Sequence, residues 1–99
     1  MGYIMSTKTT KFNKSGISNL PDDKPVVYKI QTEGGKNNYT GIAKRGRVQE
    51  RIAEHLPGLK DSVPGVKVRI QQMNSIADAR KTESRIISRS QPKHNKQGK

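Results

Sequence analysis

Residues 25–43 read PVVYKIQTEGGKNNYTGIA, and this stretch decides the fold. Val26-Val27-Tyr28-Lys29-Ile30-Gln31 is β-branched and aromatic, the composition of a strand. Glu33-Gly34-Gly35-Lys36 is a turn, since glycines reach backbone angles closed to other residues. Asn38-Tyr39-Thr40-Gly41-Ile42-Ala43 reads as the returning strand. An even number of loop residues puts Tyr28 and Tyr39 on one sheet face as near neighbours. Gly41, inside a strand, marks a close approach to the backbone by another group.

Beyond the hairpin, Val48, Ile52 and Leu56 recur at i, i+4 and i+8, which predicts a helix burying that stripe. Pro57-Gly58 ends it. Arg47, Arg51 and His55 form a second stripe, turned about 100° from the first, at the edge of the packed face. Residues 66–71 alternate, with Val66, Val68 and Ile70 inward and Lys67, Arg69 and Gln71 outward, as in a half-buried strand. Ser75, with Asp78 three residues on, opens a second helix that runs to Arg89 and is limited by Pro92. This order predicts an α+β domain, a small three-stranded antiparallel sheet flanked by helices. Residues 1–24 are dominated by Ser, Thr, Lys and Asn, and their apolar residues (Ile4, Phe12, Ile17 and Leu20) have no period. They are expected to form a flexible basic tail ending at Pro21-Asp22-Asp23. The domain then spans residues 25–96, and 97–99 form a basic C-terminal end.

The 99 residues carry 20 Lys+Arg against 8 Asp+Glu, a formal net charge of +12, and only 29% are hydrophobic. Such an excess on a small domain points to a polyanionic partner, nucleic acid first. An anionic membrane fits less well, because no basic stretch pairs with an apolar face rich in Trp, Phe or Leu. No apolar run approaches the roughly 20 residues of a membrane span, and no signal-peptide core opens the chain, so a cytoplasmic, intracellular protein is expected. Cysteine is absent, which excludes disulfides, Cys-based zinc sites and thiol catalysis. Lys44, Arg45, Arg47, Lys93 and Lys96 are the candidate phosphate contacts. No base-reading motif accompanies them, so binding should be salt-dependent and weakly selective.

The apolar positions of the last helix, Ile76, Ala79, Ile86 and Ile87, leave a gap that Glu83 fills. A carboxylate beside the core-facing stripe needs a cation, strong donors or a proton. It either pairs with Arg51 or another base, or faces a cleft as a metal ligand. Mg²⁺ often takes only one or two protein carboxylates and completes its shell with water and phosphate oxygens. Singly, a tyrosine is packing, a histidine a bystander and an arginine a surface charge. Together Tyr28, Tyr39, Arg51, His55 and Glu83, drawn from separate segments, can share one pocket.

In these motifs the chain resembles the GIY-YIG nuclease family. Val26-Val27-Tyr28 matches the first motif with Val-Val for Gly-Ile, and Tyr39-Thr40-Gly41 matches the second with Thr for Ile. Arg51-Ile52-Ala53-Glu54-His55 resembles the family helix in which Arg is followed four residues on by His or Tyr. Thr82-Glu83-Ser84-Arg85-Ile86-Ile87 resembles the helix with the metal-binding Glu, and Gln91-Pro92-Lys93-His94-Asn95 the loop in which Pro precedes a functional Asn. Ile42 stands where many relatives carry Lys.

The resemblance implies a GIY-YIG-like fold and metal-dependent endonuclease activity on phosphodiester bonds, with DNA the expected substrate. On that basis Glu83 holds Mg²⁺ or Mn²⁺, and Arg51 binds the non-bridging phosphate oxygens. Tyr28 positions or deprotonates the attacking water, its phenolate favoured by Arg51 and the metal. His55 relays the proton, Tyr39 hydrogen-bonds the water or phosphate, and Asn95 orients the nucleic-acid backbone. The alternative is a catalytically inactive basic nucleic-acid-binding protein on the same fold, or a small RNA-binding protein of ribosomal type.

Overall fold

The computed structural model describes residues 7–59 and 61–92. Among them the chain forms seven elements: β1 (Thr7–Lys11), α1 (Lys14–Ser18), β2 (Val26–Gln31), β3 (Asn37–Ala43), α2 (Val48–Ala53), β4 (Lys67–Gln72) and α3 (Ile76–Ser90). The sheet is antiparallel with the order β1-β4-β2-β3, so the hairpin partner β3 lies at one edge. The architecture is the α+β class expected, with four strands instead of three.

The fourth strand comes from the segment expected to be a tail. β1 pairs along its whole length with β4, from Thr7↔Gln71 to Lys11↔Lys67. After it Asn13 caps α1, its side chain accepting from the Gly16 amide at 2.7 Å. Phe12, Ile17 and Leu20 enter the main core with Val26, Val68 and Ile70. Asp22, placed in the sequence at a boundary, accepts from the Val48 amide at 2.6 Å and ties the segment to the start of α2. Flexibility over 1–24 is therefore corrected for residues 7–24, while 1–6 lie outside the described residues. Without an apolar residue in β1, no periodic signal announces it.

Alternation along β2 sends Tyr28 and Ile30 to the face covered by α1 and α2, and Val27 to the face covered by α3. On the α3 side Met73 and Ala79 are buried with Val27, and Ile42, Ile76 and Ile86 pack around them. α3 begins at Ser75, whose hydroxyl accepts from the Asp78 amide at 3.1 Å, and ends at Gln91 in the left-handed conformation. Val66, expected inward, is 50% exposed, because the strand starts one residue later and Val66 belongs to the approach loop. No helix among the described residues is long and apolar enough to cross a membrane.

Candidate active site

The β2–β3 register sets Tyr28 opposite Gly41 and Ile30 opposite Tyr39, with an irregularity after Ile30. The loop between Gln31 and Asn37 is odd, and the irregularity restores the shared face: both tyrosines face the α2 side, with ring centroids 6.1 Å apart. Gly41 is needed here for space. A Cβ at this position would stand 2.6 Å from the Tyr28 hydroxyl and 3.0 Å from the Tyr39 ring. The phenol of one strand lies against the bare backbone of the next.

His55 reaches the tyrosines because α2 tightens at its end. Regular helix stops at Ala53, and the following amides bond three residues back, His55 to Ile52 at 3.0 Å and Leu56 to Ala53 at 3.1 Å. In such a turn residues i and i+3 eclipse, so His55 falls beneath the fully buried Ile52. The expected common stripe of Arg47, Arg51 and His55 is thereby corrected. Both arginines are exposed, and His55 is only 5% exposed.

His55 Nε2 is 2.8 Å from the Tyr28 hydroxyl, and Nδ1 is 2.8 Å from the Asp61 carbonyl oxygen. A carbonyl only accepts, so Nδ1 carries the hydrogen of the neutral ring, and Tyr28 donates to Nε2. The Tyr28 hydroxyl is also hydrogen-bonded to the Tyr39 side chain. Tyr39 stacks at a tilt on His55, with centroids 4.6 Å apart. The chain returns to His55 at Val63, whose amide donates to the His55 carbonyl at 2.9 Å.

Burial, reinforced by Tyr39, pushes the Tyr28 hydroxyl well above its ordinary pKa, and the opposing pull of Arg51 does not offset it. Without a bound metal, burial thus favours the neutral phenol of Tyr28, against the phenolate that Arg51 and a metal are expected to favour. Tyr39 is also raised, by burial first, with Arg51 pulling it down.

Arg51 projects one turn before His55, and its charge acts on Tyr28, Tyr39 and Glu83. Its ion pair is with Glu54, at 3.4 Å. Glu83 is half-buried on α3, and its charge acts on both tyrosines across the sheet edge. The Arg51–Glu83 salt bridge is not formed, and Glu83 makes no ion pair among the described residues. Burial raises the Glu83 pKa, while Arg80 and then Arg51 pull it down. A carboxylate with this residual shortage of positive charge suits a cation. The described residues contain no cluster of three or more His, Cys, Asp or Glu side chains, so any ion here draws its other ligands from water and substrate.

Beside Arg51 a cavity of about 220 Å³ is lined by Lys44, Arg47, Arg51, Arg80 and the apolar Ile42 and Ile76. Of the candidate phosphate contacts, Lys44 and Arg47 both line this cavity, whereas Arg45 is exposed in the same turn and does not. Arg80 was not singled out by the sequence reading. Its signal was its spacing, four residues after Ile76 and three before Glu83 on one helical face. It places a cation next to Ile42. Lys93, Asn95 and Lys96 lie outside the described residues. No protein-family model matches the chain, and no curated protein matches it significantly.

Proposed function

We propose that the protein is a divalent-metal-dependent endonuclease of GIY-YIG type, cleaving phosphodiester bonds in DNA with little sequence selectivity. The observation that carries this reading is the hydrogen-bonded Tyr28–His55 pair, with its fixed tautomer, beside Tyr39, Arg51 and Glu83.

A neutral Tyr28 serves as a proton relay. As water attacks phosphorus and the leaving P–O bond breaks, a water proton passes to the Tyr28 oxygen while the Tyr28 proton passes to His55 Nε2. The phenol never carries a net charge, which suits its burial. The leaving oxygen takes up a proton from solvent, and His55 releases the proton it holds to solvent, which balances the hydrolysis. Arg51 grips the non-bridging oxygens with its planar fork. Arg80 supplies, from α3, the positive charge that Ile42 lacks. Glu83 would hold Mg²⁺ or Mn²⁺, and a bound divalent ion stabilises charge on the phosphate and on the leaving oxygen. Lys44 and Arg47 hold the neighbouring backbone.

Incubation with labelled single-stranded, duplex and branched DNA and with RNA, each with and without Mg²⁺, tests the proposal. Cleavage is expected on DNA only with the metal, and Glu83→Ala should slow it by about 10²–10³. Tight binding with no cleavage of any substrate would establish the inactive binding protein instead.

A further inference from the structure

The outward residues of β4 lie on the α3 side of the sheet. There α3 packs over β3 and β2, and it leaves β1 and β4 open. The register sets Thr9, Arg69 and Lys29 in one row across three strands, and Lys11, Lys67 and Gln31 in the next. Two of the directly opposed pairs, Arg69↔Lys29 and Lys11↔Lys67, join like charges. Such pairs oppose strand association rather than helping it. Lys29 records the strain, held below its ordinary pKa by burial and then by Arg69.

At the border of this face α3 contributes Arg85 and Arg89. With Lys29, Gln71 and Thr82 they wall a cavity of about 350 Å³ between helix and sheet. Neither row nor that cavity contains an acid. Glu33 shares a neighbouring cavity with Lys11 and Lys67 and makes no salt bridge to either. The fold thus gathers six cations from four elements onto one side, against their mutual repulsion. An anionic occupant would turn that repulsion into binding.

We infer that this open basic face, bounded by α3, is a docking surface for the phosphate backbone of duplex DNA, separate from the tyrosine–histidine site and independent of hydrolysis. Charge complementarity selects a polyanion. The rows carry no aromatic side chain on which unpaired bases would stack, which favours a duplex over a single strand. They also carry no large apolar residue to enter a lipid surface.

Fluorescence anisotropy of the full chain with a labelled mixed-sequence duplex, in EDTA to prevent cleavage and over a salt series, tests the assignment. The variant K67Q/R69Q should bind at least about tenfold more weakly at low salt, with the slope of log K against log salt reduced by about 2. The variant K14Q/K24Q removes the same charge elsewhere and should change affinity less than about twofold. K67Q/R69Q should melt no lower than the wild type, because it relieves both opposed pairs. Arg85→Gln, which leaves the sheet untouched, should weaken binding in the same direction. Unchanged affinity and slope in K67Q/R69Q would overturn the inference. So would an equal loss in K14Q/K24Q, or a loss confined to single-stranded oligonucleotides or to phosphatidylserine vesicles.

Discussion

Tyr28 combines a fully buried ring with a hydroxyl that must stay polar, and His55 Nε2 satisfies it at 2.8 Å. Tyr28→Phe leaves that nitrogen buried without its donor. It should cost about 1–3 kcal/mol in denaturant unfolding and slow cleavage by about 10²-fold or more. The pH dependence follows from the raised hydroxyl pKa. The unfolded chain ionises Tyr28 first, near pH 10, so its contribution is complete below that pH and is lost as pH rises toward the folded value. The wild-type melting temperature should therefore fall more steeply above about pH 10 than that of Tyr28→Phe. Glu83 is also raised, chiefly by burial, so its ionised form weakens the fold. Glu83→Gln should melt above the wild type at neutral pH and match it once the carboxyl is protonated in both states, below about pH 4, while losing metal-dependent cleavage. Equal melting temperatures at neutral pH would contradict that reading.

Among the elements, those with an internal apolar period were legible. The hairpin strands, β4 and α3 fall within a residue or two of the segments marked by β-branched runs, alternation and the Ser75 cap. β1 and α1 were not legible, because Thr7-Lys8-Thr9-Thr10-Lys11 has no apolar member and α1 is a five-residue helix. Their stability comes from partners about sixty residues away, such as Gln71 for Thr7, which no local pattern records. Leu20 measures what this segment contributes, since it is only 2% exposed within the main core. Leu20→Ala should cost about 2–5 kcal/mol in chemical denaturation, and a chain beginning at residue 22 should show no cooperative unfolding. A cooperative transition in that truncated chain would restore the tail reading. α2 shows the same division. Its stripe predicted the buried Val48 and Ile52, but the three-residue turn that swings His55 inward depends on the loop that closes through Asp61 and Val63.

For the whole molecule, a net charge of +12 on 99 residues makes binding to nucleic acid largely a matter of counterion release. With four or more phosphates engaged, affinity should fall by at least about 10²-fold between about 50 and 200 mM salt, measured by anisotropy. An affinity that barely moves would remove the electrostatic basis of both surfaces described above. The cations are sorted by the fold: Lys44, Arg47, Arg51 and Arg80 gather around one cavity with Ile42 and Ile76, and another set occupies the open side of the sheet. The sequence by itself determined the α+β class, the hairpin and the excess of positive charge, because each is a property of neighbours along the chain or of composition. Only the tertiary structure decided that residues 7–24 belong to the fold, that a register shift in the hairpin puts both tyrosines on one face, that Tyr28 is buried in hydrogen-bond contact with His55, and that Arg80 joins the cavity beside Arg51. Burial, tautomer and field are set by groups distant in sequence, and they exist only once the strands and helices have closed on one another.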